Sequence, residues 1–513
     1  MLTHPATWVC VVKVIGMSGP ITRRRMLKGL GATGAVGFAG CTEGDGTPTG
    51  GDGGDGSDGS DGSDGGGSDG SDGMDGGDGS DMTPTETNTA TGTPSGDVSG
   101  TVRIGVLQPM SGDLQYYGQQ SIWGFLSGLA YKADSEPPGD VGTGTTTYSV
   151  GDVDYELLVR DTQFSPDAAE SAAETLVRED DVDMLFGCSS SNAARRVVRN
   201  IVNQANVPYI AGPAASASIT SDSETCSDLV YRANENTAMD ARSGGRYVAT
   251  ETDVSRVYLF GADYSFGRAV VNNYRTVLEN EGVEIAGERF VKRGYSEWEG
   301  LLDNAEEAGA EGIVGGFTVA TLPALFSSFL SGEYSYRAFG GFATQITNTV
   351  VGNTMIQELG EPLTTEKIRD AKLGPFTTRY HWNQYDNEIN DTFVDTYTSV
   401  YGLPPDLFTS GTFTAASAVH QSVEASGSTA AMDIVDGLKG MTVSDTPKGA
   451  DGYEFQTYNN QARSEMTVAD PIPTTDEWAD SWGAAIMPGE PAARIDRSQV
   501  TIPGDSDDMN CSL

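Results

Sequence analysis

The chain has 513 residues with 73 Asp and Glu against 31 Lys and Arg, a formal charge of −42. Residues 1–101 hold 14 acids and 5 bases, so 102–513 still carry a net −33. A surface this acidic repels nucleic acid and anionic lipid and excludes both as partners. It suits a high-salt medium, where dense carboxylates keep a protein hydrated, and resembles the surfaces of halophilic proteins; an ordinary acidic secreted protein is the alternative.

The N-terminus reads as an address. Thr22-Arg23-Arg24-Arg25-Met26-Leu27-Lys28 precedes a short apolar, Gly/Ala-rich run that ends in Phe38-Ala39-Gly40-Cys41. A basic region, a short apolar region and small residues before a cleavage point make a signal peptide over 1–40. The paired arginines resemble a twin-arginine export signal. Small residues before Cys41 resemble a lipobox, which makes Cys41 the lipidated residue of a membrane-anchored lipoprotein. Met17 reads as a more natural start than Met1. Gly29-Leu30-Gly31-Ala32-Thr33-Gly34 matches G-x-G-x-x-G but follows no strand, so no dinucleotide cofactor is expected.

Residues 41–100 are Gly, Asp, Ser and Thr, without Lys or Arg and without Leu, Ile or Phe. Such a segment buries too little apolar area to offset chain entropy, and the expectation is a disordered, solvated linker. It lacks the carboxylate spacing of calcium loops, and no zinc-type Cys/His cluster occurs anywhere, so no metal is expected.

From 101 onward strands alternate with helices. Val102–Leu107 is a buried strand. Ile122, Phe125, Leu126 and Leu129 then fall at helical spacing. Tyr155–Arg160 is a strand, and Ser165-Pro166 caps and starts the next helix. Strand 182–187, helix 192–205 and strand 207–212 follow. The rhythm resumes with strand 256–261, helix 267–281, strand 283–290, helix 296–308, strand 312–316, helix 322–330 and strand 337–342. Residues 389–425 look mostly helical, and the Gly/Pro-rich tail from about 446 is expected to add a strand or two.

This alternation predicts an α/β fold of two doubly wound parallel-sheet lobes. Ligands of such sheets bind beyond the carboxyl ends of the strands. Five cysteines are too few for a disulfide framework; Cys188 and Cys226 are candidates for one bridge, and two buried thiols are the alternative.

Five segments in order carry a resemblance. They are Ile104-Gly105-Val106-Leu107-Gln108-Pro109-Met110-Ser111-Gly112 with Tyr117-Gly118, Asp161-Thr162-Gln163-Phe164-Ser165-Pro166, Gly187-Cys188-Ser189-Ser190-Ser191, Pro213-Ala214-Ala215-Ser216, and Asp263-Tyr264-Ser265-Phe266-Gly267. Together they resemble type I periplasmic-binding proteins, in the subgroup that binds branched-chain amino acids, amides or urea for ABC importers. The resemblance covers about 101–460. It implies three crossovers, near 232–236, 343–348 and 446–452. Lobe 1 is then about 101–233 and 346–448, lobe 2 about 234–345 and 449–485, with a C-terminal tail over 486–513. It also implies an extracytoplasmic protein on the outer face of the cell membrane, a monomer, with ABC permease and ATPase subunits as partners.

On this reading the hydroxyls of Ser189, Ser190 and Ser191, at a helix N-terminus, and Ser216, with the backbone N–H groups near Ala214 and Ala215, hold a carboxylate or carbonyl oxygen. Plain helix capping is the alternative for the serines. Tyr117, Tyr264 and Phe266 are candidates to line the cleft with rings; Phe317 and Phe342 are weaker candidates, with core packing as the alternative. The stretch 339–345 has no acid, a departure from the amino-acid binders, so an amide, urea or carboxylate ligand fits as well. No catalytic motif appears, and the only histidines are His4, His381 and His420. The chain is therefore expected not to be an enzyme. A surface-tethered hydrolase and a ligand-sensing receptor domain acting through a separate partner are the rival classes.

Overall fold

A computed structural model describes residues 98–341 and 344–513. The leader, Cys41, the linker and Phe342 lie outside the described residues. Among those described, no helix is long and apolar enough to cross a membrane.

The apolar runs form two sheets. The first contains β1 (Gly100–Gln108), β2 (Gly144–Val150), β3 (Val153–Asp161), β4 (Met184–Gly187), β5 (Tyr209–Ala211) and β6 (Val230–Arg232), in the order β2-β3-β1-β4-β5-β6. All pairs are parallel except β2 with β3. The second sheet contains β7 (Arg256–Ala262), β8 (Glu284–Val291), β9 (Gly312–Gly316), β10 (Arg337–Gly341) and β11 (Leu373–Thr378). Two later strands, β15 (Met466–Pro473) and β16 (Ile486–Ile495), extend it antiparallel, in the order β16-β15-β11-β10-β9-β7-β8. Three short strands, β12 (Thr442–Val443), β13 (Tyr453–Phe455) and β14 (Ala462–Ser464), form a small sheet packed on the first lobe's core. The α/β class and its two parallel sheets match the reading of the sequence.

Helices cover the sheets where their apolar spacing predicts. Ser165 caps Pro166–Arg178, its Oγ accepting from the Ala168 N–H, and Ala169, Ala173 and Leu176 are buried. The helices Gln115–Lys132 and Thr409–Ser426 touch through glycine. A Cβ on Gly124 would lie 2.2 Å from Thr412 Oγ1, and one on Gly128 would lie 2.3 Å from the Phe413 carbonyl. Only glycine at these two positions lets the backbones approach so closely, and the contact brings the 406–408 loop beside the first turn of Gln115–Lys132.

The chain crosses between lobes three times, but two crossings differ from the expected places. The first, between β6 and Thr237, agrees. Near 343–348 the chain stays in the second lobe: Gln345–Leu359 places Val351 and Met355 in that lobe's core, and β11 pairs with β10. It returns only after Thr378, when Glu388–Tyr401 and Thr409–Ser426 pack on Gln115–Lys132. The third crossing lies at 464–466. Residues 486–495, read as tail, are β16.

Cys188 does not meet Cys226. Cys188 directly follows β4 and is buried, its thiol pushed up to about 12 by burial. Cys226, on the loop before β6, is bridged instead to Cys511, with Cα atoms 5.8 Å apart. The tail reaches it by running back to the first lobe, where Asn510 N–H donates to the Ser221 carbonyl.

Candidate functional site

The carboxyl ends of the central strands of both sheets face one cavity of about 850 Å³, its solvent-open mouth included. From the first lobe it receives Tyr117, from the first turn of Gln115–Lys132, and Phe164, from the turn after β3. Ser189 and Ser191 come from the turn after β4, and Pro213 and Ala215 from the turn after β5. The second lobe supplies Tyr264, Phe266, Tyr274, Phe317, Thr318 and Thr344. Leu407 and Phe408 complete the wall beside Tyr117, whose ring meets Phe408 edge-on at 5.0 Å.

The lobes touch across this space. Val319 N–H donates to Tyr117 Oη (3.4 Å), Ser265 N–H to Asn192 Oδ1 (3.2 Å), and Gln345 N–H to Asp406 Oδ2 (2.7 Å). The Arg293 guanidinium lies 5.7 Å from the Phe164 ring centre. The described conformation is therefore a closed one.

The serines divide. Ser189 Oγ donates to Gln108 Oε1 (2.7 Å), and the amide of Gln108 donates to Ser121 Oγ and the Gly212 carbonyl. This fixes Ser189 at the cavity wall with its lone pairs still able to accept. Ser191 Oγ accepts from the Ser216 N–H (3.1 Å). Ser190 does not line the cavity: its Oγ caps the helix Ser191–Val197, accepting from the Ala193 N–H. Ser216 turns to Ser218 Oγ (2.7 Å), and Ala214 is fully buried with its N–H on the Cys188 carbonyl. Thus Tyr117, Ser189, Ala215, Tyr264, Phe266 and Phe317 of the expected set come together, while Ser190, Ala214 and Ser216 support the loops behind them. Local capping took the hydroxyls that the sequence offered equally to a ligand.

A charged pair at the cavity was not foreseen. Arg379 follows β11 in the second crossover, and Asp240 ends the short helix Thr237–Asp240 after the first. Arg379 Nε and Nη2 bind the two Asp240 oxygens at 2.9 and 2.5 Å. Burial lowers the guanidinium's affinity for its proton, but Asp240 and Glu235 outweigh it and hold Arg379 above its ordinary value. Burial also pushes Tyr117 up to about 12 and raises Tyr264 and Tyr274 further, so all three phenols stay neutral hydrogen-bonding groups. An acid thus does reach the cavity, from outside the stretch 339–345, but it is already paired. The one advance signal was position: both residues sit beside a crossing from one sheet to the other lobe.

Chemically the cavity offers hydroxyls and strand-end backbone on one side, aromatic rings around the middle, and a charge-balanced pair below. Among the described residues, no group of His, Cys, Asp and Glu is arranged to hold a metal ion.

A family model described as "Periplasmic binding protein" matches residues 101–473. No curated protein sequence matches the chain. Among solved structures, an ABC-type branched-chain amino acid transporter protein from Rhodopseudomonas palustris CGA009 is similar at 22% identity and TM-score 0.59, over 78% of this chain and 98% of that one. A solute-binding protein from Rhodopseudomonas palustris BisB5, in complex with 3,4-dihydroxybenzoic acid, aligns at 18% identity and TM-score 0.60 over 79% and 99%. A leucine-binding protein from Thermotoga maritima aligns at 16% and 0.61 over 77% and 99%. These likenesses carry the fold.

Proposed function

From the premise that the chain belongs to the periplasmic binding protein family, we propose that it is the extracytoplasmic solute-binding component of an ABC importer, held to the outer face of the membrane by lipid on Cys41 after twin-arginine export. Its solute is a small monocarboxylate or amide with an apolar body, a class that includes the branched-chain amino acids. Lobe closure presents that solute to the permease, and the protein does not transform it.

The observation that carries this reading is the composition of the inter-lobe cavity. Ser191 Oγ accepts from the Ser216 N–H and keeps its own hydrogen to donate. With the N-terminal turn of Ser191–Val197 it offers an anionic or carbonyl oxygen a hydroxyl and the positive end of a helix. Ser189, its hydrogen given to Gln108, can accept from a solute N–H. The rings of Phe164, Tyr264, Phe266, Phe317 and Phe408, from both lobes, line the rest of the cavity. Rings in that number favour a solute with an apolar body and disfavour urea, which has none. The Asp240–Arg379 pair adds no net charge, so a single anionic end is matched by Ser191 and the helix terminus. Closure is a population shift, since only a ligand that touches both lobes favours the closed form over the open one.

Thermal unfolding of the full chain with leucine, benzoate, acetamide and urea tests the reading. Leucine or benzoate is expected to raise the midpoint in proportion to the logarithm of its concentration, and urea at millimolar concentration is not. Ser191→Ala is expected to weaken the bound carboxylate about tenfold or more, the cost of a hydrogen bond to a charged group. Absence of any shift with both carboxylates, or unchanged affinity in Ser191→Ala, overturns the assignment.

A further inference from the structure

Behind the cleft, inside the second lobe, lies a second chamber. It sits between the sheet and the helices Leu322–Ser331 and Gln345–Leu359, and spans about 750 Å³ including its openings. Its wall is mainly apolar, with Ile313, Leu325, Phe329, Val351, Met355 and Phe376 among the contributors and Thr347 and Asn348 its polar members. The chamber and the cleft share four bordering residues: Gly315, Phe317, Gly340 and Gly341. Three of these are glycines in the neighbouring strands β9 and β10, so among the described residues the Phe317 ring is the only side chain that borders both spaces.

Packing does not explain every one of these glycines. A Cβ on Gly315 would press the Phe317 ring at 3.0 Å, and Gly340 has φ +147°, a conformation side chains avoid. Gly341 is different. A Cβ there would meet its nearest neighbours, Thr377 Cγ2 and the Thr377 carbonyl, at 3.6 and 3.7 Å, ordinary contact distances. Among the described residues no packing contact forbids a side chain at 341, and its absence leaves the border between chamber and cleft bare there.

We infer that the solute is amphipathic: its carboxylate or amide end sits in the cleft, and an unbranched apolar tail passes Gly341 and Phe317 into the chamber. This deepens the proposed function and rests on it for the head group. An apolar tail entering an apolar chamber gains about 0.8 kcal/mol per buried methylene, which is about fourfold in affinity.

The test is calorimetric titration of the full chain with straight-chain alkanoates from butanoate to decanoate. In the wild type affinity is expected to rise about fourfold per methylene until the chamber fills. Gly341→Leu, which obstructs the passage, and Val351→Phe, which fills the chamber, are expected to flatten that dependence. Because the readout is the ratio of long to short alkanoate within each protein, a loss of head-group affinity in either variant does not mimic the result. Affinity independent of chain length in the wild type, or the same slope in both variants, overturns the inference. Xenon-pressurised crystals separate the two readings. Xenon in the chamber with no alkanoate bound sinks the head-group assignment and leaves the chamber standing, whereas a chamber without xenon overturns it.

Discussion

Asp406 offers a quantitative test of how closure is held. It lies on the first lobe, fully buried, and its Oδ2 accepts from Gln345 N–H at the start of a second-lobe helix and from Tyr116 Oη (2.8 Å). Burial raises its pKa from 3.8 to about 6, against the downward pull of Gln345, Tyr116 and the Phe408 N–H. The folded protein therefore binds this proton more tightly than the unfolded chain does. Stability contributed here is present below pH 4 and is lost as pH rises toward and past 6. A shift of about two units amounts to ~3 kcal/mol at pH 7.5, of which ~1.5 is already lost by pH 5. His381 works in the opposite direction. Burial holds it down at about 3, so the unfolded chain takes up that proton first and stability falls as pH drops below 6.5. The two slopes oppose each other between pH 4 and 6, and the wild-type curve is correspondingly shallow. Asp406→Asn removes one of them while keeping an acceptor for Gln345 and Tyr116. The variant is expected to be more stable than wild type at pH 7.5, and its advantage is expected to shrink by ~1.5 kcal/mol at pH 5. Urea unfolding followed by tryptophan fluorescence between pH 5 and 7.5 measures both and stays clear of the isoelectric point near 4.1. A variant less stable at pH 7.5, or an advantage independent of pH, refutes the reasoning.

Two further outcomes follow from the connections between lobes. Lys448 Nζ lies 2.8 Å from Glu235 Oε1, both side chains at most 1% exposed, and Tyr453 and Ser464 donate to the same oxygen. Lys448→Met leaves a buried carboxylate without its cation and is expected to cost about 3–5 kcal/mol, largely recovered in Glu235→Gln/Lys448→Met; a single-variant loss under ~1 kcal/mol in urea melts contradicts this. The Cys226–Cys511 bridge spans 285 residues, and Cys511→Ser is expected to lose about 2–5 kcal/mol. Thermal melts with and without reductant should then separate for the wild type and coincide for the variant, and coincidence in both proteins would refute it.

Most strands and helices were legible because burial on both sheet faces forces continuous apolar runs, as at Met184–Gly187, and one-face burial forces helical spacing, as in Pro166–Arg178. The second crossover was not legible. Gln345–Leu359 mixes Thr, Asn and Gly through its sequence, and β11 is a six-residue strand interrupted by Pro375, so neither announces which sheet it serves. The cleft rings were legible because strand ends mark the ligand side of a wound sheet, which put Tyr117, Tyr264 and Phe317 within reach. Serine is favoured equally by a helix cap and by a ligand's oxygen, so the sequence could not say that Ser190 Oγ caps Ser191–Val197 and that Ser216 Oγ turns to Ser218. Asp240 and Arg379 are 139 residues apart on different crossovers, and no local pattern joins them.

The C-terminal tail makes the hinge more than three passing strands of chain. After β16 leaves the second sheet, Val500 packs with Met239 and Met466, and Ile502 with Ala217 and Ala238, directly over the first and third crossovers. Cys511 then fastens the tail to the first lobe. The two halves are thus closed into a covalent ring. A protease that nicks any one linking segment between 226 and 511 releases nothing: the severed pieces stay a single molecule until the bridge is reduced. In a periplasmic binding protein, that ring keeps a nicked molecule from losing the half that completes its cleft.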